Sequence, residues 1–246
     1  GALADYRVLF LPFAQALSAA EAAAIRTFVH EGGTLIADIR PGVRDQQGRL
    51  LEQGQLDDLF GVRYKRLGPL SERADKSIEL HLDDHSIAGT IPMAESDPAV
   101  ALTDGKALAA VDGFPVVIEK KSGQGRAVLL NLSVGFTNVE WGTVAAQTKF
   151  QRDPVRDSGR DDTWVALLGA LVAGAGIHPE LELSSENQPL RGAETATYHD
   201  GAARYYGVFG CPHNDMALLW NTRARTATGK LRQAGHLYDV RTGEYL

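Results

Sequence analysis

Residues 6–39 read YRVLFLPFAQALSAAEAAAIRTFVHEGGTLIADI, and this stretch decides the fold. YRVLFLP is an apolar run with β-branched and aromatic content, ended by proline, and it reads as a strand buried on both faces. Ser18 stands three residues before Glu21, the spacing of a capping box. Ala22, Ile25, Phe28 and Val29 then recur at helical spacing, and Gly32 or Gly33 ends the helix. TLIADI, residues 34–39, reads as a second buried strand. A crossover of this length predicts a right-handed strand–helix–strand unit with parallel strands.

Outward from that unit the pattern changes. Residues 40–54, RPGVRDQQGRLLEQG, form a polar loop, and 56–60 a short helix stopped by Gly61. Residues 77–82 alternate as a half-exposed strand, and 107–110, 116–120 and 126–132 are further strands. Residues 122–125, Ser-Gly-Gln-Gly, read as a hairpin turn, so 77–121 look like antiparallel additions. The last of these strands, 126–132, returns to the main sheet. Residues 134–161 read as a long loop with one helical turn. Asp162 caps a helix over 163–173, closed by Gly174 or Gly176 and blocked by Pro179. Beyond it come short strands at 181–183, 195–198, 204–209, 216–220 and 236–240, with turns at Asp200-Gly201 and Thr242-Gly243. Two domains follow, an α/β domain over 1–179 and a small β-sandwich-like domain over 180–246.

The composition narrows the function. The 246 residues carry 25 Lys+Arg against 31 Asp+Glu, a net charge of −6, which argues against a nucleic-acid surface. One cysteine excludes an intramolecular disulfide framework and any Cys-based zinc or iron–sulfur site within the chain. The longest nearly apolar run, 164–177, contains three glycines and is too short to span a membrane. No secretory signal is visible, and the early entry into a strand reads as a cut piece of a longer protein, so its compartment is not legible. No Gly-rich phosphate loop follows the first strand, and neither a cofactor nor a metal is expected.

YRVLFLP, FVHEGGTLIADIR, GVRDQQGR and LDDLFGV, followed by GRAVLLNLSVGF and GAGIHPELEL, together resemble the class I glutamine amidotransferase-like fold. They are most similar to the trimerisation domain of family-42 β-galactosidases and related glycoside hydrolases. RYYGVFG and GHLYDVRTGEYL resemble the small β domain that follows it. The resemblance implies a flavodoxin-like, mainly parallel sheet with an antiparallel insertion. It implies a homo-oligomer, with the other domains of a parent enzyme as partners, and a domain that helps wall that enzyme's cleft. It also implies a further strand and helix upstream of YRVLFLP, absent from this sequence.

Amidotransferases of this class carry a nucleophilic cysteine on the turn after the strand equivalent to TLIADI. Here that turn is Asp38-Ile39-Arg40-Pro41-Gly42, with no nucleophile, and Pro41 lacks a backbone N–H. Cys211, followed by Pro212 and His213, reads as structural. Asp45 reads first as a carboxylate that organises its own loop and second as part of a ligand cleft, with Arg40 and Arg44 pairing with it or binding an anion. Asn138, Glu140 and Trp141 are the second half of that candidate cleft. They lie in the long loop with Asp153, Asp157, Asp161 and Asp162, a carboxylate-rich stretch that reads first as a solvated face or a subunit contact and second as a sugar site on which Trp141 would stack. On a helix, His81 and His85 would share a face and bind metal, but the alternation before them argues a strand followed by an exposed turn over 83–86. His178 reads as a helix C-terminal cap, and His199, His213 and His236 carry no spacing signal.

The leading expectation is a non-catalytic accessory and oligomerisation domain of a larger carbohydrate-active enzyme. The second is a module binding carbohydrate or another small ligand. The third is an atypical hydrolase using Asp45 or His85.

Overall fold

The computed structural model describes residues 3–65, 68, 70, 76–82, 85–91, 96–132, 159–185, 188–189, 193–201, 203–210, 228–232, 235–236, 238–240 and 242–245. The first strand, β1 (Val8–Leu11), leads into α1 (Ala19–His30) and then β2 (Thr34–Ala37). The capping box forms as the spacing requires: the Glu21 N–H donates to Ser18 Oγ at 3.2 Å and the Ser18 N–H donates to Glu21 Oε2 at 2.7 Å. α1 buries Ala22, Ile25, Phe28 and Val29, the four residues of its apolar stripe. β1 and β2 pair in parallel, Val8 opposite Thr34.

The chain continues through α2 (Asp57–Phe60), β3 (Val62–Tyr64), β4 (Lys76–Leu82), β5 (His85–Ile91), β6 (Val100–Leu102), β7 (Lys106–Val111), β8 (Phe114–Ser122) and β9 (Gly125–Leu130). Gly61 stops α2 in the left-handed conformation, φ 66°, its N–H on the Asp57 carbonyl. A helix, α3 (Gly159–Ala173), completes this part. It is followed by β10 (Leu181–Ser185), β11 (Gln188–Pro189), β12 (Ala193–Asp200), β13 (Ala203–Gly210) and β14 (Thr228–Leu231). The described residues fall into two compact units, one holding 3–132 and 159–177, the other beginning at His178.

In the first unit the main sheet runs β1-β2-β9-β8-β7. β2 and β9 are parallel, while β9–β8 and β8–β7 are antiparallel. The sheet is therefore mixed, not mainly parallel. The β8–β9 hairpin, closed at Ser122 and Gly125 as expected, carries the antiparallel part directly into it. Alternation along β2 and β9 sends Leu35, Ala37, Ala127 and Leu129 to the face covered by α1 and α2. Ile36, Val128 and Leu130 point to the opposite face, where Leu167 and Leu171 of α3 meet Ile78, Leu80 and Ile87 of the β4–β5 hairpin. In the second unit, β10 pairs with β11 and β14, and β12 pairs with β13 around Asp200 and Ala203.

Four sequence expectations are corrected. β1 is not buried on both faces: it lies at the sheet edge, and Phe10 is 39% exposed. α3 begins at Gly159, so Asp162 lies inside the helix instead of capping it. His85 is not in a turn but opens β5 opposite Leu82. That strand, HSIAGTI, escapes the sequence reading because Gly89 and Ala88 dilute its alternation. Residues 236–240 form no strand among the described residues; Tyr238 makes a single bridge to Tyr245. The loop at 134–158, the strand at 216–220 and Cys211 fall outside the described residues.

Candidate functional site

The parallel strands β1, β2 and β9 end together, and just beyond them stand the buried polar residues Asp38 and Asn131. Asp38 follows β2 and is 1% exposed. Its Oδ1 accepts the Phe13 N–H at 2.5 Å, which ties the end of β1 to the end of β2. Two residues on, Arg40 adopts φ 56°, a left-handed conformation that side chains rarely occupy. Its side chain turns inward. Nε meets Asp97 Oδ2 at 2.5 Å, and Nη2 donates to the Gly68 carbonyl at 2.6 Å.

Asp97 is itself almost fully buried and is held from three sides. Its other oxygen accepts the Ala99 N–H at 2.8 Å. Asn131, just past β9, accepts the Asp97 N–H through Oδ1 and donates Nδ2 to the Asp97 carbonyl at 2.9 Å and to that of Pro115 at 3.0 Å. Around this group lie two buried hydroxyls, Tyr64 Oη and Ser96 Oγ, that find no hydrogen-bond partner among the described residues. Burial, reinforced by the carboxylates of Asp57 and Asp97, pushes the Tyr64 phenol well above its ordinary range.

Asp45 sits elsewhere on the same end. Its Oδ1 accepts the N–H groups of Gln47 and Arg49, each at 2.9 Å, and its carbonyl accepts the Gly48 N–H at 2.9 Å. It is a loop organiser, the first of its two readings. Arg44 donates to the Gly48 carbonyl at 2.8 Å. Neither Arg40 nor Arg44 pairs with Asp45 among the described residues, which corrects that expectation: Arg40 is drawn to the buried Asp97, and Arg44 braces the loop backbone. A shallow groove of about 330 Å³ opens beside Asp45, lined by Ser18, Gln46, Gln47, Leu51 and Gln55 among others. Asn138, Glu140 and Trp141 lie outside the described residues.

Among the described residues, these side chains fasten the ends of β1, β2 and β9 to one another and to the segment entering β6. The left-handed turn after β2 presents an arginine already spent in an ion pair. Phe13, Asp97 and Asn131 escape the sequence reading; the one available signal is an aspartate closing an otherwise apolar strand at Asp38.

Against known families, the sequence model of the β-galactosidase trimerisation domain matches residues 2–145. The chain belongs to that family. No curated protein matches it. Among solved structures, this trimerisation-domain chain is similar to a family-42 β-galactosidase from G. stearothermophilus, with a TM-score of 0.59 and 16% identity over 99% of this chain and 30% of that one. It is also similar to the β-galactosidase of Bacillus circulans sp. alkalophilus, with a TM-score of 0.57 and 18% identity over 83% and 27% of the two chains. A third is the cold-adapted β-galactosidase of Rahnella sp. R3, with a TM-score of 0.56 and 15% identity over 83% and 27%. At these identities the likeness is one of fold. The chain spans between a quarter and a third of those proteins' length.

Proposed function

We propose that this chain is the non-catalytic oligomerisation module of a larger glycoside hydrolase of the β-galactosidase type. The observation that carries the reading is the family match over residues 2–145. The turn after β2 supports it: Asp38-Ile39-Arg40-Pro41-Gly42 holds no cysteine, serine or threonine, and its Arg40 pairs with Asp97. The same turn, following a parallel strand flanked by helices on two faces, supports a distant kinship with the amidotransferase-like and flavodoxin-like folds. Residues 1–179 and 180–246 are the two domains of this reading. The partners are further copies of the polypeptide and the other domains of the parent enzyme. Light scattering coupled to size exclusion on the intact protein tests it: a trimer is expected, and a stable monomer at micromolar concentration sinks it.

A second reading rests on the groove beside Asp45. Its lining sets the amides of Gln46 and Gln47 beside the apolar Leu51, while Gln55 already donates to the Leu17 carbonyl; amide groups next to an apolar surface are chemistry that a hexose takes. Calorimetry with galactosides decides it, and no heat across the panel removes it.

A further inference from the structure

Asp57 is a buried carboxylate without a cation. It is 2% exposed, and no Lys, Arg or His pairs with it among the described residues. A single N–H reaches it, that of Gly54 on Oδ2 at 3.0 Å, and the Asp57 N–H returns to the Gly54 carbonyl at 3.3 Å. A β-carbon on Gly54 would stand 2.2 Å from Asp57 Oδ1, so the carboxylate lies directly on that glycine.

The groups around it offer no counter-ion. Arg26 of α1 is engaged by Asp58 at 3.0 Å and by the Gln55 carbonyl. Lys120 of β8 is held by the Asp58 carbonyl at 2.8 Å and by Asp104 at 2.7 Å. β9 brings Ala127 and Leu129 to this face, both apolar. β3 brings Tyr64, whose phenol burial keeps neutral. Asp58, next in the chain, adds a like charge. Protonated, Asp57 sits in this place at little cost. Ionised, it has one donor and no opposite charge, and only opening of the segment returns it to water.

The segment from Gly54 to Asp57 also joins three other parts of the unit through Gln55. The Gln55 N–H donates to the Gly42 carbonyl at 2.9 Å, and its side-chain amide donates to the Leu17 carbonyl. Its own carbonyl takes Arg26. The start of α1, the middle of α1 and the turn after β2 thus meet on one residue, which also lines the groove beside Asp45.

We infer that the Gly54–Asp57 closure is a pH-sensitive clasp, shut while Asp57 is protonated and opening more often once it ionises, so that Gln55 leaves Gly42 and Leu17 and the groove loses a wall. The carboxyl titrates at about 6 in the shut clasp, against 3.8 in water. Closure is therefore fully favoured below about pH 4, and the opening constant rises about hundredfold as pH climbs through 6. The clasp stands whether or not the groove takes a ligand.

Hydrogen exchange of the intact protein, read by mass spectrometry and divided by the intrinsic rate at each pH, tests this. Protection of residues 54–60 is expected to fall about hundredfold between about pH 4 and pH 7, and to end well below that of residues 126–130 in β9. Asp57→Asn keeps an acceptor for Gly54, removes the charge, and should show the same protection at both ends of the range. Protection of 54–60 that does not change with pH overturns the clasp. A wild-type response that persists in Asp57→Asn overturns it too. So does a loss that leaves 54–60 and 126–130 equally protected at every pH, since the whole unit would then be opening and not the clasp.

Discussion

The Arg40 guanidinium and the Asp97 carboxylate meet at 2.5 Å, their side chains 12% and 1% exposed, across 57 residues of sequence. The pair fastens the turn after β2 to the segment entering β6. Breaking a buried pair by deleting one partner leaves an uncompensated charge, at about 3–5 kcal/mol. Asp97→Ala is therefore expected to lower unfolding stability by that much, since the Ala99 N–H also loses its acceptor. Adding Arg40→Met to it should restore about 2 kcal/mol, because the orphaned charge goes with it. Urea denaturation of the four members of this cycle gives the coupling; additive losses would mean that the pair contributes nothing as a pair.

Asp57 opens α2 with its side chain buried and the Gly54 N–H donating to it at 3.0 Å. Burial raises its pKa from 3.8 to about 6; the Gly54 bond works against this and Asp58 adds to it. A raised carboxylate pKa means that the folded chain binds a proton the unfolded chain has released. Stability from this group is full below about pH 4 and is lost as pH rises through 6, a difference on the order of 3 kcal/mol. Asp57→Asn keeps an acceptor for Gly54 and removes the charge. The variant should match the wild type near pH 4 and exceed it in stability by that order at about pH 7. A difference that is flat in pH would show that the carboxylate is not strained by burial.

The first strand–helix–strand unit is legible because local signals agree there. Ser18 and Glu21 cap, the stripe from Ala22 to Val29 faces the sheet, and Gly61 and the 122–125 turn sit where their chemistry demands. The site is half legible. Asp45 announces itself through a turn whose bonds span four residues. Asp97 and Asn131 do not, because their bonds to each other span 34 residues and the bond of Asp97 to Arg40 spans 57, and no periodicity encodes such a meeting. The exposure of Phe10 is illegible for a related reason: an apolar strand carries no mark of whether it will have one neighbour or two.

Asp45 holds its loop through two N–H groups on one oxygen. Asp45→Ala leaves the Gln47 and Arg49 donors to water and should cost about 1–2 kcal/mol, with faster proteolysis across 46–49. Asp45→Asn retains an oxygen and should lose less than half of that. Cleavage rates that do not distinguish the three proteins would argue that the loop is shaped by Arg44 and the backbone alone.

Two glycines give opposite expectations from one substitution. Gly125 begins β9 where the hairpin passes under the end of α1. A β-carbon there would stand 2.2 Å from the Gly33 carbonyl oxygen and 2.3 Å from that of Val29. Both are backbone atoms of a helix terminus already fixed by the sheet, so neither can swing aside as a side chain would. Gly125→Ala must push α1 off β9, opening the layer that buries Phe28, Val29 and Ala127. A loss of about 3 kcal/mol or more is expected, the upper range for overpacking. Gly169, by contrast, lies exposed within α3, and a methyl added to it would meet nothing within 4 Å among the described residues. Its φ needs no glycine. Gly169→Ala removes backbone freedom from the unfolded chain without meeting an obstacle and should gain about 0.5–1 kcal/mol. Thermal melts of the two variants therefore diverge in sign. A harmless Gly125→Ala would mean that α1 does not rest on the β8–β9 hairpin as closely as these distances require, and the layer order around the sheet would need to be redrawn.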